Sequence, residues 1–84
     1  MRFAVLVDIR LRDGIADPQG ATIERALPAL GFDGVAEVQV GKTVRFTVDA
    51  VDEQSARAEV DDMVRRFLSN PVIEDAVVTL GPDA

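Results

Sequence analysis

VAEVQVGKTVRFTV, residues 35–48, admits two readings. As a hairpin turning at Gly41-Lys42, Val40 would face Thr43, and Val38 and Val40 would share a face with Arg45 and Thr47. Glu37 and Gln39 would then share the other face with Phe46 and Val48, so both faces would mix apolar and polar groups. As one strand, Ala36, Val38, Val40, Lys42, Val44, Phe46 and Val48 line one face, while Val35, Glu37, Gln39, Gly41, Thr43, Arg45 and Thr47 line the other. The parity favours the continuous strand. At roughly 3.3 Å per residue it spans about 45 Å, whereas a compact domain of this size is roughly 30 Å across. It must overhang its own domain, and an overhanging strand with an apolar face requires cover from another chain. The expectation is a homo-oligomer, dimer or tetramer, joined through this strand, with Val38, Val40 and Val44 at the interface.

The flanking segments supply the remaining elements. Residues 2–12 alternate, with Phe3, Val5, Val7, Ile9 and Leu11 on one face, as a half-buried strand does. Asp17 stands at the N-cap of a first helix and Pro18 at its first position. The inward stripe is Ile23, Ala26, Leu27 and Leu30; Pro28 disturbs the last turn and Gly31 ends it. Asp52-Glu53-Gln54 opens a second helix whose buried stripe is Ala56, Val60, Met63, Val64, Phe67 and Leu68. Glu53–Arg57, Asp61–Arg65 and Asp62–Arg66 are ion pairs at helical spacing. Residues 73–80 form the last strand. The order is β-α-β-α-β, an α+β two-layer sandwich with a long middle strand, its two helices on one face of an antiparallel or mixed sheet. Residues 1–84 read as a single domain.

Composition narrows the function. With no His and no Cys among 84 residues, the commonest general base, metal ligand and thiol nucleophile are missing. A net charge of −6 repels phosphate backbones, and no basic patch offsets it. No run approaches the roughly 20 apolar residues of a membrane span, and the N-terminus reads as a strand rather than a signal peptide. The absence of cysteine fits a reducing compartment, so the cytoplasm is expected. Neither a nucleic acid nor a membrane is an expected partner. No catalytic residue, bound cofactor or metal site is expected either; the acidic cluster Glu59, Asp61 and Asp62 reads as a solvated helix face.

Val40-Gly41-Lys42-Thr43 is similar to the tail of a phosphate-binding loop, but Ala36 stands where that motif needs its first glycine, and the segment is strand rather than loop-to-helix. Lys42, the single charge on an apolar strand face, reads as a lysine at an interface edge or as a contact for a partner's carboxylate or an anion. Gly20 is harder to place. Glycine inside a helix costs roughly 1 kcal/mol against alanine, and its usual benefit is close approach of another group. The free N–H groups of that first turn also form a possible anion site. If a partner packs there, Gly20→Val should leave the fold intact and weaken the assembly.

Asp17-Pro18-Gln19-Gly20, Ala26-Leu27 through Leu30-Gly31-Phe32, Val38-Gln39-Val40-Gly41-Lys42 and Asn70-Pro71-Val72-Ile73-Glu74-Asp75, in this order and spacing, resemble the PurS family, the small subunit of bacterial phosphoribosylformylglycinamidine synthase. The resemblance runs from residue 3 to 80. It departs from the usual pattern at Arg12-Asp13, Pro28 and Gln39. It implies a non-catalytic subunit in purine nucleotide biosynthesis that bridges the glutaminase, PurQ, and the synthetase, PurL, and helps deliver ammonia to formylglycinamide ribonucleotide. It further implies that ATP and Mg are used by the synthetase partner. Asp17, Pro18, Gln19, Gly20, Gly41 and Lys42 are the positions it offers for partner contact. The alternative from another class is an ACT-like sensor module that binds an amino acid between protomers.

Overall fold

The computed structural model describes residues 1–83. Its elements are β1 (Arg2–Leu11), α1 (Pro18–Ala26), a 3-10 turn (Pro28–Leu30), β2 (Lys42–Asp49), α2 (Glu53–Met63), a π-helical turn (Val64–Leu68) and β3 (Glu74–Pro82). β1 is the central strand of an antiparallel sheet ordered β2-β1-β3. The alternation in β1 does what its parity requires: Phe3, Val5, Val7 and Ile9 are all buried. The register sets Val5 between Phe46 and Leu80, and Val7 between Val44 and Val78, so one face of all three strands is apolar.

α2 covers that face. Its N-cap, Asp52, accepts the Ser55 N–H at 2.7 Å, and Ala56, Val60 and Val64 are buried against the sheet side of the core. Burial of a valine or isoleucine side chain stabilises by about 1.5–3 kcal/mol, so this cluster carries the fold. Phe67 lies 85% exposed and outside the expected stripe. The π-helical turn explains this: each of its residues advances by less rotation than in an α-helix, which carries Phe67 away from the sheet and leaves Leu68 packed on the core. Ser69 closes the turn, its N–H donating to the Val64 carbonyl at 3.0 Å. Of the expected ion pairs, Asp62–Arg66 forms at 3.1 Å, and Arg65 bonds the same Asp62 at 3.0 Å instead of Asp61.

α1 does not lie on the sheet. Only Gly20 is buried in it, and of its expected inward stripe Ile23 is 43% and Leu30 71% exposed. Pro28 disturbs the last turn as anticipated, so the α-helix stops at Ala26 and the chain continues as the 3-10 turn, which Gly31 caps with φ 96°. The expected continuous strand over residues 35–48 is also interrupted. Ladder pairing begins at Lys42, opposite Ile9, and Glu37 takes φ 60°. The left-handed region costs a residue with a β-carbon about 1–2 kcal/mol, so something must hold the bend. The parity argument holds where pairing occurs, because Val44, Phe46 and Val48 pack on the core face and no hairpin forms at Gly41-Lys42.

The resulting shape is a sheet-and-helix body with a projecting arm made of α1 and residues 33–41. The described chain measures 52 × 30 × 14 Å, with a radius of gyration of 16.6 Å, against about 12 Å for a compact chain of this length. The expected overhang is present, carried by the arm rather than by one straight strand.

Candidate functional site

The arm is organised by Asp17. As the α1 N-cap, it accepts the Gly20 N–H on Oδ1 at 2.9 Å, satisfying a donor that the first turn leaves free. Its other oxygen, Oδ2, accepts the Val40 N–H at 2.8 Å. One side chain therefore starts the helix and ties down the segment running past it. Two turns further along, Glu24 Oε1 accepts the Val38 N–H at 2.9 Å. Val38 and Val40 point their N–H groups the same way, as alternate residues of an extended chain do, and α1 receives both.

Gly20 is explained by this packing. An added β-carbon would collide with the Val38 carbonyl oxygen of the same chain and lie 2.8 Å from Asp17 Oδ2. The close approach expected at Gly20 is intramolecular. This corrects the expectation that Gly20→Val would leave the fold intact, since the arm itself must open to admit the side chain. The anion site envisaged at the α1 N-terminus is likewise taken, because the Asp17 carboxylate already occupies it. Gly41 serves a second close approach: a β-carbon there would lie 2.7 Å from the Ile9 carbonyl oxygen, where the arm meets the sheet.

Asp17, Pro18, Gln19, Val40, Gly41 and Lys42 line one hollow beside the end of β1. Gly20 and Val38 are not among its lining residues but pack against each other, Gly20 against the Val38 carbonyl. Lys42 forms no ion pair among the described residues, whereas Arg2, Arg10, Arg12, Arg65 and Arg66 each have a carboxylate. Val44 stands apart, packed on the hydrophobic core. Two residues that the sequence did not single out complete the arrangement, Glu24 and Glu37. Glu24 follows Asp17 by seven positions, two helical turns on one face, opposite alternate strand residues; that spacing is the signal that identifies it. The named residues of the arrangement include no His, Cys, Ser or Thr. Among the described residues there is no cluster of metal-ligating side chains, and no buried side-chain donor or acceptor lacks a partner. It is built to hold a surface in place.

Residues 4–81 match the family model described as PurS: Phosphoribosylformylglycinamidine (FGAM) synthase. The chain belongs to the PurS family. It is 42% identical over 80 residues to phosphoribosylformylglycinamidine synthase subunit PurS of Methanothermobacter thermautotrophicus, covering 95% of this chain and 94% of that one. It is 40% identical over 73 residues to the PurS subunit of Methanocaldococcus jannaschii, covering 87% and 88% respectively. A chain in the structure of PurLQS from Thermotoga maritima superposes with a TM-score of 0.87 at 30% identity, over 96% of this chain and 99% of that chain. In this PurS chain no described helix is long and apolar enough to cross a membrane.

The acids that organise the PurS fold also set its pH response. The Gly20 N–H, then the Val40 N–H, hold the Asp17 carboxyl below its ordinary value of 3.8. The Ser55 N–H does the same for Asp52, and the Arg66 guanidinium for Asp62. A carboxyl with a folded pKa below its unfolded one contributes stability that is fully present above the unfolded value and is lost as pH falls through the folded one. Stability is therefore expected to hold from neutrality to about pH 5 and to decline below about pH 4. Urea unfolding of wild type and Asp52→Asn across pH 2–7 checks this. The wild-type advantage should shrink toward zero at the acid end; an advantage that persists at pH 2 would contradict the assignment.

Proposed function

We propose that this chain is the small, non-catalytic subunit of phosphoribosylformylglycinamidine synthase, acting in purine nucleotide biosynthesis by bridging the PurL synthetase and PurQ glutaminase subunits. The observation that carries the reading is the projecting arm: an ordered surface with unburied apolar side chains and no chemistry of its own, in a chain of the PurS family. Ile23, Leu30, Phe32 and Val35 are exposed along it, and exposed apolar surface of this kind marks a protein interface. ATP and Mg belong to the synthetase, and this subunit binds neither. Its role is to hold the two partners so that ammonia released at one passes to the other, in the cytoplasm, as a homo-oligomer.

Sedimentation velocity tests the assembly. The chain alone should sediment as a dimer or tetramer at micromolar concentration and shift into a larger species with both partners present. A compact monomer that ignores both partners would contradict the proposal. The sensor alternative is disfavoured by the hollow at the end of β1, where the Asp17 carboxylate is already committed to two N–H groups of its own chain.

A further inference from the structure

Residues 33–40 make no backbone-to-backbone hydrogen bond among the described residues, and the β1–β2 ladder ends at the pair Ile9–Lys42. The segment is nonetheless bent at Glu37, φ 60°, and laid against α1. Among the described residues its only backbone N–H tethers are Val40 to Asp17 Oδ2 and Val38 to Glu24 Oε1. We propose that Asp17 and Glu24 are the positioning residues of the docking arm: two helix-borne carboxylates that stand in for a neighbouring strand and lock residues 37–41 to α1, so that the arm engages its partners as one rigid unit. The inference rests on the reading of this chain as a bridging subunit.

The two acids do not have equivalent tasks. Asp17 uses both oxygens on two separate donors, Gly20 and Val40. An asparagine offers one acceptor oxygen, and its NH2 group would face a donor; it can cap the helix or hold Val40, but not both. Glu24 uses one oxygen on one donor. Glutamine can replace it there, and alanine cannot. This explains why the N-cap is an aspartate rather than a serine, threonine or asparagine, which can also cap a helix.

The experiment compares Asp17→Asn, Glu24→Gln and Glu24→Ala in the full chain, reading amide hydrogen exchange at Gly20, Val38 and Val40 with Val7 and Val60 as core controls. A hydrogen bond to a charged acceptor is worth enough that losing it should speed exchange about tenfold or more. D17N should do so at Val40 or at Gly20, whichever N–H the single amide oxygen leaves free, E24A at Val38, and E24Q should stay near wild type, with core exchange unchanged throughout. The second reading is glutamine-dependent turnover with the purified partner subunits. D17N and E24A should raise the concentration of this chain needed for half-maximal coupling, E24Q should restore it, and ammonium-driven turnover should not move. Unchanged arm exchange in both D17N and E24A, or E24Q failing as E24A does, would overturn the clamp. Loosened exchange without any change in coupling would overturn its positioning role. If the wild-type chain fails to couple the partners at all, the bridging reading falls instead, and the exchange data still judge the clamp on its own.

Discussion

Gly20→Val should release residues 37–41 from α1 while leaving the sheet and α2 folded. The added side chain has nowhere to go: its first carbon would collide with the Val38 carbonyl oxygen, and the Asp17 carboxylate lies on the same side at 2.8 Å. The first obstacle is backbone and the second is a carboxylate held by two hydrogen bonds, so the backbone must part. Overpacking of this kind costs about 1–3 kcal/mol, here confined to an arm with no ladder bonds to the sheet. Exchange at Val38 and Val40 should rise together, exchange in β1 should not, and glutamine-dependent turnover with the partner subunits should fall. Gly20→Ala places the same carbon in the same position and should show a milder form of both effects. Full arm protection in Gly20→Val would show that the Val38 carbonyl does not constrain this position.

Ile9→Ala should have the largest effect on stability. Ile9 is 1% exposed and joins Val5, Val7, Val60 and Val64 in the buried cluster. Truncating such a side chain typically costs about 2–5 kcal/mol, the loss of transfer free energy adding to the cavity left behind. A chain of this length has about 4–13 kcal/mol in total, so the variant should lose a large share of its stability and melt on the order of 10–30 °C lower. Ile23, at 43% exposure on the arm, provides the contrast. Ile23→Ala should cost the isolated chain under about 1 kcal/mol and act on assembly instead. Thermal unfolding of both variants decides the matter; equal losses would mean that the body-and-arm division of the fold is wrong.

That division shows what the sequence could and could not reveal. Local signals are legible: the β1 alternation, the Asp17 and Asp52 caps, the disturbance at Pro28 and the stop at Gly31, and the placement of Val44, Phe46 and Val48 on the core face all depend on neighbours a few residues apart. The failures arise where distant groups override local pattern. Residues 35–41 have the parity of a strand, yet their N–H groups are taken by Asp17 and Glu24 from another element, and Glu37 bends to allow it. The apolar positions of α1 have the spacing of a core-facing stripe yet lie exposed, and periodicity alone does not distinguish a buried face from an exposed one. An α-helical count places Phe67 inward, and the π-helical turn changes that count. At the candidate site, Gly20 and Lys42 stand out because each breaks a local rule, and Asp17 because it follows one as an N-cap. Glu24 breaks none and could be found only through its spacing from Asp17.

The proposed role of the body with its projecting arm is to join two enzymes. The most direct measurement is amidation of formylglycinamide ribonucleotide by the purified cognate synthetase and glutaminase, with ATP and Mg present, with and without this chain, using either glutamine or free ammonium as the nitrogen source. The account predicts that glutamine supports turnover only when the chain is added, while ammonium supports it in either case. Glutamine-driven turnover that is the same with and without the chain would contradict the bridging role.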